Sequence, residues 1–213
     1  MTRGDTPVIA VVDYRMGNLR SVEKGLGAAG VQGVVVTDDP RVLERAGGIV
    51  LPGVGAFRDA AANLESSGLR DVLLARAAAG VPLLGICLGM QLLATTGLED
   101  GEWSGLGLVP GVCSRITGDV KVPHIGWNTV DYPRESPLFA GIDQGSAFYF
   151  VHSYQLVADD PGAVIGTTTY GGPVTAAVAA GNVYGVQFHP EKSSACGLAL
   201  LRNFANIITE VGA

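Results

Sequence analysis

The sequence predicts an α/β fold: one domain whose mostly parallel or mixed sheet is flanked by helices. Two patterns lead there. Up to about residue 100, short apolar runs alternate with stretches of helical periodicity, the signature of parallel strands covered on both faces. Beyond it the texture turns to short β-rich pieces separated by turn residues, and a last amphipathic helix closes the chain. A length of 213 residues with 47% hydrophobic and 16% charged residues suits one core and gives no sign of a linker or repeat.

The elements follow in order. Val8–Val12 is a continuous apolar run ending in Asp13, as a strand buried on both faces requires. Leu19, Val22, Leu26 and Ala29 recur at helical spacing between Asn18 and Gly30, which acts as a stop. Val31–Val36 and Ile49–Leu51 read as the second and third strands. Ala56–Leu64 and Leu69–Ala79 read as helices parted by Ser-Ser-Gly, and Leu83–Ile86 as a fourth strand feeding a helix over Leu88–Ala94. Seven β segments follow: Val112–Ile116, Trp127–Val130, Phe148–Val151, Gln155–Val157, Ala163–Thr169, Val174–Ala179 and Val183–Phe188. They are expected to extend the same sheet. Leu198, Leu201, Phe204, Ile207 and Ile208 mark the closing helix.

Composition excludes several classes. The net charge of −6 comes without any basic tract, so a nucleic-acid-binding surface is not expected. Three cysteines, Cys87, Cys113 and Cys196, are too few and odd in number for a disulfide framework. No Cys/His spacing suggests zinc, and neither metal nor cofactor is expected. The uncharged stretch between Arg76 and Glu99 could span a bilayer by length, but Pro82, Gly85, Gly89, Gln91 and Gly97 punctuate it as strand, turn and helix. Arg3 and Asp5 followed only by the short Val8–Val12 run fall short of a secretion signal. A cytoplasmic protein with no membrane contact is expected. Glycine is the outlier, at 31 residues, roughly twice the usual share. Its placement in GVG, GICLG and GG points to tight turns where backbone approaches something closely.

Gly85-Ile86-Cys87-Leu88-Gly89 has the G-x-nucleophile-x-G form of a nucleophile elbow. A strand turning sharply into a helix forces the nucleophile into a strained conformation, and both residues two away must lack a Cβ. The thiol then emerges at a helix start, where thiolate is favoured, and the Leu88 N–H is left to hold an oxyanion. Cys113 and Cys196 have no such frame and read as buried apolar residues. A thiolate needs a base and an orienting acceptor. His189 lies just past the apolar run Val183–Phe188, and Pro190 fixes a turn that brings Glu191 within reach of its ring. Carboxyl ends of parallel strands gather at one edge, so Cys87 and His189 can meet there.

With these residues in place, Gly85–Leu93 (GICLGMQLL) and Gly185–Lys192 (GVQFHPEK) resemble the two signatures of the class I glutamine amidotransferases, a flavodoxin-like fold. Asp13–Val22 (DYRMGNLRSV), Leu51–Phe57 (LPGVGAF), Lys121–Asn128 (KVPHIGWN), Tyr149–Tyr154 (YFVHSY) and Glu191–Ser194 (EKSS) are similar, more narrowly, to the glutaminase subunits of imidazole glycerol phosphate synthases. The resemblance spans about Val8 to Phe204. It implies that Cys87 attacks the side-chain amide of L-glutamine, that His189 relays the proton and that Glu191 orients His189. Leu88 and the Gly53-Val54-Gly55 loop would supply the oxyanion donors, with the two glycines permitting a peptide flip. Gln91, Ser153 and Tyr154 would contact the substrate. The released ammonia would pass to a separate (β/α)₈-barrel cyclase subunit, giving a heterodimer, with Asn18, Tyr149 and Lys192 near the interface and His124 and Trp127 in a segment beside the site. Arg15 stands where a glycine-like residue is expected, and Pro173 where an aromatic is. Two other readings are a glutaminase subunit of another class I amidotransferase and a different thiol hydrolase on an α/β sheet. A regulatory module that kept the fold without the chemistry is a third, opposed by the three filled triad positions.

Overall fold

The computed structural model describes residues 8–211; Arg3 and Asp5 lie outside the described residues. Six α-helices and thirteen strands are present among them. In chain order the first half runs β1 (Ile9–Val12), α1 (Leu19–Ala28), β2 (Val34–Thr37), α2 (Pro40–Arg45), β3 (Gly48–Gly53), α3 (Phe57–Ser66), α4 (Leu69–Ala78), β4 (Leu83–Cys87) and α5 (Leu88–Gln91). The second half runs β5 (Thr96–Gly97), β6 (Trp103–Ser104), β7 (Gly111–Arg115), β8 (His124–Val130), β9 (Ser146–His152), β10 (Tyr154–Ala158), β11 (Val164–Thr169), β12 (Pro173–Ala180), β13 (Val183–Val186) and α6 (Ser194–Val211).

A seven-stranded sheet in the order β11-β12-β13-β4-β3-β1-β2 forms the centre. β13, β4, β3, β1 and β2 are mutually parallel, while β12 runs antiparallel to both β11 and β13. Alternate residues of each parallel strand feed two buried clusters. Ile9, Val11, Val50, Leu84 and Ile86 pack with Val22 and Leu26 of α1 and Leu200, Leu201 and Phe204 of α6. Ala10, Val12, Ile49, Leu51 and Leu83 pack with Leu43 of α2, Leu64 of α3 and Leu73 of α4. Helices on both faces explain why these strands read as unbroken apolar runs.

The sheet departs from expectation in one respect. Of the seven later β segments, only β11, β12 and β13 join it. β10 and β7 pair in a separate four-stranded sheet with β5 and β6, and β8 and β9 form a two-stranded hairpin. On β8, buried His124 and Val130 bracket the exposed Ile125, Trp127 and Thr129, so this hairpin presents one face outward instead of lying within a covered sheet. The helix expected to reach Ala94 ends at Gln91, because the carbonyls of Leu92, Leu93 and Ala94 are taken by the N–H groups of Leu106, Val109 and Gly107. α2 has no counterpart in the sequence reading, although Asp39 caps it, accepting from the Arg41 N–H with Pro40 at the first position.

Candidate active site

β4 is the middle strand of the main sheet, and its last residue is Cys87. Cys87 adopts φ 55° and ψ −111°, a left-handed φ that a side chain rarely takes. Neighbouring atoms require both framing glycines. A Cβ on Gly85 would lie 2.6 Å from the Gly89 carbonyl oxygen and 2.8 Å from the Met90 nitrogen, and one on Gly89 would run into the Leu51 carbonyl oxygen of β3. α5 is a single turn, so the sulfur does not sit at the end of a long helix dipole; its polar neighbours are the Val151 carbonyl oxygen at 3.9 Å and Gln187 Nε2 at 3.7 Å.

Val186 ends β13 in register with Ile86, and the chain continues through Gln187 and Phe188 to His189. His189 Nδ1 lies 2.9 Å from Glu191 Oε1, with the two side chains only 3% and 1% exposed. A 3-10 turn over Pro190–Lys192 makes that approach possible. The other ring nitrogen, Nε2, is buried with no hydrogen-bond partner among the described residues. Burial opposes a charge on His189, yet Cys87 and Glu191 outweigh it and push the imidazole up to about 9. Tyr14, whose hydroxyl donates to the Pro52 carbonyl at 2.7 Å, is raised by burial first and by Cys87 second.

Cys87 and His189 open on a cavity of about 340 Å³, lined also by Val54, Gly55, Leu88, Gln91, Glu99, Pro123, Val151, His152, Ser153 and Tyr154. Two larger concavities, of about 490 and 560 Å³, hold neither a cysteine nor a histidine. Gly53 pairs with Cys87 across β3 and β4. A Cβ there would lie 2.9 Å from Leu88 Cβ and 3.1 Å from the Gly89 nitrogen, so only glycine lets the loop pass so close to the elbow. Gly55 has φ +112° and Val54 is exposed.

Gln91 and Gln187 make a directed pair. Gln91 Nε2 donates to the Tyr154 carbonyl at 2.9 Å and to Gln187 Oε1 at 3.1 Å. A carbonyl can only accept, so both amides are fixed in orientation, and Gln187 is left pointing its own Nε2 at Cys87 Sγ, 3.7 Å away. Gln187 is completely buried.

The remaining predicted residues fall into two places. Asn18 precedes α1 and lines a small hollow with Gly53, Val54, His189 and Glu191, behind the cavity. Trp127 pairs with Tyr149 across β8 and β9, their rings edge to face at 6.0 Å, and Lys192 Nζ sits 6.0 Å from the Tyr149 ring. Tyr149 also touches the site through its backbone, since its carbonyl accepts from the His189 N–H at 2.9 Å. His124 is buried on the inner side of the same hairpin. Arg15 has φ +66°, the backbone that makes a glycine-like residue the natural occupant. Pro173 is the exposed first residue of β12, where a missing N–H is tolerated.

Three further residues line or support the cavity without a sequence signal strong enough to mark them. Gln187 lies just past the end of β13, two positions before His189, and a polar side chain in an apolar run is the one hint the sequence offers of it. His152 stands in the YFVHSY segment. Glu99, whose Oε2 accepts from the Phe57 N–H at 2.6 Å, lies in a stretch without periodicity or motif. Among the described residues, no group of three or more His, Cys, Asp or Glu side chains is placed to hold a metal ion, and no helix is long and apolar enough to cross a membrane.

The profile of the glutamine amidotransferase class-I family matches residues 10–207. Imidazole glycerol phosphate synthase subunit HisH of Moorella thermoacetica is 52% identical over 204 residues, 96% of this chain and 97% of that one. The protein of the same name from Halobacterium salinarum is 52% identical over 206 residues, covering 93% of this chain and 92% of its own. Among solved structures, PurLQS from Thermotoga maritima superposes with a TM-score of 0.75 at 21% identity, covering 95% of this chain and 99% of that one. A putative GMP synthase protein from Thermoplasma acidophilum gives 0.74 at 21% identity over 99% and 98%. With the family profile spanning nearly all of the described fold and relatives at this identity over nearly full length, the chain belongs to the class-I glutamine amidotransferases and, within them, groups with the HisH subunits of imidazole glycerol phosphate synthase.

Proposed function

We propose that this chain is the glutaminase subunit of an imidazole glycerol phosphate synthase in histidine biosynthesis, with Cys87, His189 and Glu191 as its triad. The observation that carries the reading is the buried His189–Glu191 pair, 2.9 Å apart, set beside a cysteine in strained backbone at the mouth of one cavity. Cys87 sulfur, its proton held on His189, attacks the side-chain carbonyl carbon of glutamine. The carbonyl oxygen becomes an oxyanion held by the Leu88 N–H and an N–H of the Gly53-Val54-Gly55 loop, each donor worth about 3 kcal/mol of transition-state stabilisation. The tetrahedral intermediate collapses, His189 returns its proton to the departing nitrogen, and ammonia leaves a glutamyl thioester. Water, deprotonated by His189, then attacks the thioester and releases glutamate, restoring the sulfur–imidazole pair.

Glu99 is the carboxylate of the cavity and suits the α-ammonium of glutamine. Both Gln91 amide hydrogens already have acceptors, so its substrate contact falls to Oε1. Ser153 and Tyr154 border the same end. Ammonia released into water would be protonated and lose its nucleophilicity, so it passes to a (β/α)₈-barrel cyclase partner. The cyclase forms imidazole glycerol phosphate and an aminoimidazole carboxamide ribonucleotide. The Asn18, Trp127, Tyr149 and Lys192 side of the molecule, with His124 behind it, faces that partner, and the setting is the cytoplasm.

A glutaminase assay of the chain with and without the cyclase tests this. Cys87→Ala should abolish glutamine-dependent synthesis and leave synthesis from ammonium intact. Equal loss with both nitrogen sources would refute channelling, and full glutaminase activity without the partner would refute partner control of the Gly53-Val54-Gly55 loop.

A further inference from the structure

The Tyr154 carbonyl at the cavity rim receives a second hydrogen bond besides that from Gln91. His152 Nδ1 lies 2.8 Å from it, and because a carbonyl only accepts, this nitrogen carries the proton. Neutral His152 then offers a lone pair at Nε2, and His124 Nδ1, 3.0 Å away, must donate to it. That leaves a lone pair on His124 Nε2, 3.3 Å from Asn128 Nδ2. The Asn128 amide is fixed independently: its Oδ1 accepts from the Thr129 N–H at 2.9 Å and its Nδ2 donates to the Thr169 carbonyl at 3.0 Å. Both ends therefore impose the same sense on the chain, from Asn128 through His124 and His152 to Tyr154.

Packing holds the rings that carry it. His124 is 3% and His152 5% exposed, and His124 stacks between Phe150 at 4.8 Å and Tyr170 at 4.0 Å. Burial lowers the pKa of both and keeps them neutral, as the relay needs. Protonating either ring would set N–H against N–H. The chain does not end in the hairpin: it meets Gln91 at the Tyr154 oxygen, and Gln91 in turn orients Gln187 toward the nucleophile. On the outer side of the same hairpin, Ile125 and Trp127 are 60% and 54% exposed.

We propose that Asn128, His124 and His152 are positioning residues for glutamine, a one-way hydrogen-bond relay that holds the Tyr154 backbone at the cavity rim and ties it to the hairpin bearing Ile125 and Trp127. This rests on reading the cavity as a glutamine site. The test is steady-state glutaminase kinetics of the full chain with its cyclase partner. His152→Leu cannot donate to Tyr154 and should raise KM for glutamine about ten-fold while kcat changes far less. His152→Asn places an amide N–H near the former Nδ1 and should restore most of the lost affinity. His124→Phe keeps the stacking but removes the donor to His152, and should raise KM by a smaller factor. If His152→Leu does not fold, the KM-against-kcat split in His124→Phe decides. Parallel losses in kcat and KM with no rescue by His152→Asn, or an unchanged KM in His124→Phe, would overturn the proposal. A diazoketone analogue of glutamine separates this failure from failure of the glutamine reading. If wild-type Cys87 is alkylated by it and protected by glutamine, unchanged KM values refute the relay alone; if Cys87 is not alkylated, the glutamine site itself is refuted.

Discussion

Replacing Gly25 with alanine should damage catalysis from behind, although Gly25 touches no substrate. It lies buried in α1, and an added Cβ would sit 2.9 Å from Glu191 Cβ, 3.3 Å from Glu191 Cα and 3.1 Å from Leu201 Cδ1, where ordinary contact begins near 3.4 Å. Gly27, two residues on in the same helix, is exposed and a Cβ there meets nothing within 4 Å. Both substitutions gain the same helix propensity, about 0.5–1 kcal/mol. Their difference therefore isolates the overpacking term, about 1–3 kcal/mol. For a chain of this size each 1 kcal/mol moves Tm by about 2–4 °C. Gly27→Ala should thus melt above the parent, and Gly25→Ala about 2–12 °C below Gly27→Ala. Two of these contacts are to the Cβ and Cα of Glu191, so relief displaces Glu191 against α1; its carboxylate holds His189 at 2.9 Å, so glutaminase kcat should fall about ten-fold or more in Gly25→Ala and stay at the parental value in Gly27→Ala. Thermal unfolding and a glutaminase assay on the two variants suffice. Equal melting temperatures with full activity in Gly25→Ala would refute the claim that this helix face sets the triad.

Other outcomes can be checked alongside. Burial holds His152 down at about 4 against 6.5 in the unfolded chain, so the unfolded state takes up the proton first and stability falls as pH drops from about 6.5 toward 4, by about 3 kcal/mol for this group. Denaturant titrations should show a flatter acid limb in His152→Asn; an identical limb would count against it. His189, raised to about 9, contributes stability that is complete below about 6.5 and lost as pH rises through about 9. In Glu191→Gln the alkaline limb of kcat/KM should move to lower pH, and an unmoved limb would dissociate Glu191 from His189. Gln187→Leu removes the N–H facing the sulfur and should slow alkylation of Cys87 by iodoacetamide about ten-fold, whereas an unchanged rate would make that contact incidental. Arg15→Gly relieves a side chain at φ +66° and should raise Tm by about 2–4 °C; a lower Tm would show that the Arg15 side chain, not its backbone, matters there.

Most of the central sheet was legible because strands covered on both faces leave unbroken apolar runs, and those of β1, β3 and β4 stand out between helical stretches. The later strands are equally visible one at a time, but nothing local distinguishes a strand that joins the main sheet from one that does not. β7 and β11 are both short and partly apolar; β7 pairs with β10 and β5 while β11 pairs with β12. Partner choice there is a property of the assembled fold. α2 is the converse case, hidden because its apolar face is little more than Leu43, although Asp39-Pro40 carries a readable start signal.

The site divides along a different line. The elbow at Cys87 and the His189–Glu191 contact are legible because each is local geometry: an elbow needs glycines two residues away on each side, and a short His-Pro-Glu turn brings carboxylate to ring. Glu99 and His152 reach the cavity, and Gln187 the sulfur, through tertiary placement; even inside recognisable segments, nothing local says which of these side chains turns toward Cys87. Direction is the deeper loss. A sequence states that an amide or an imidazole is present but not which of its atoms donates, and here that follows only from acceptors at the ends of the chains. The Tyr154 oxygen accepts from His152 on one side and Gln91 on the other; the first chain leads out to Asn128 and the second leads in to the sulfur. A backbone carbonyl, carried by a residue whose side chain contributes nothing to either bond, is the point where the hairpin bearing Ile125 and Trp127 and the cysteine are held in one frame. Substituting Tyr154 itself would leave that oxygen in place, which is why a side-chain scan of the rim would miss it and the His152 and Gln91 side chains are where it can be read.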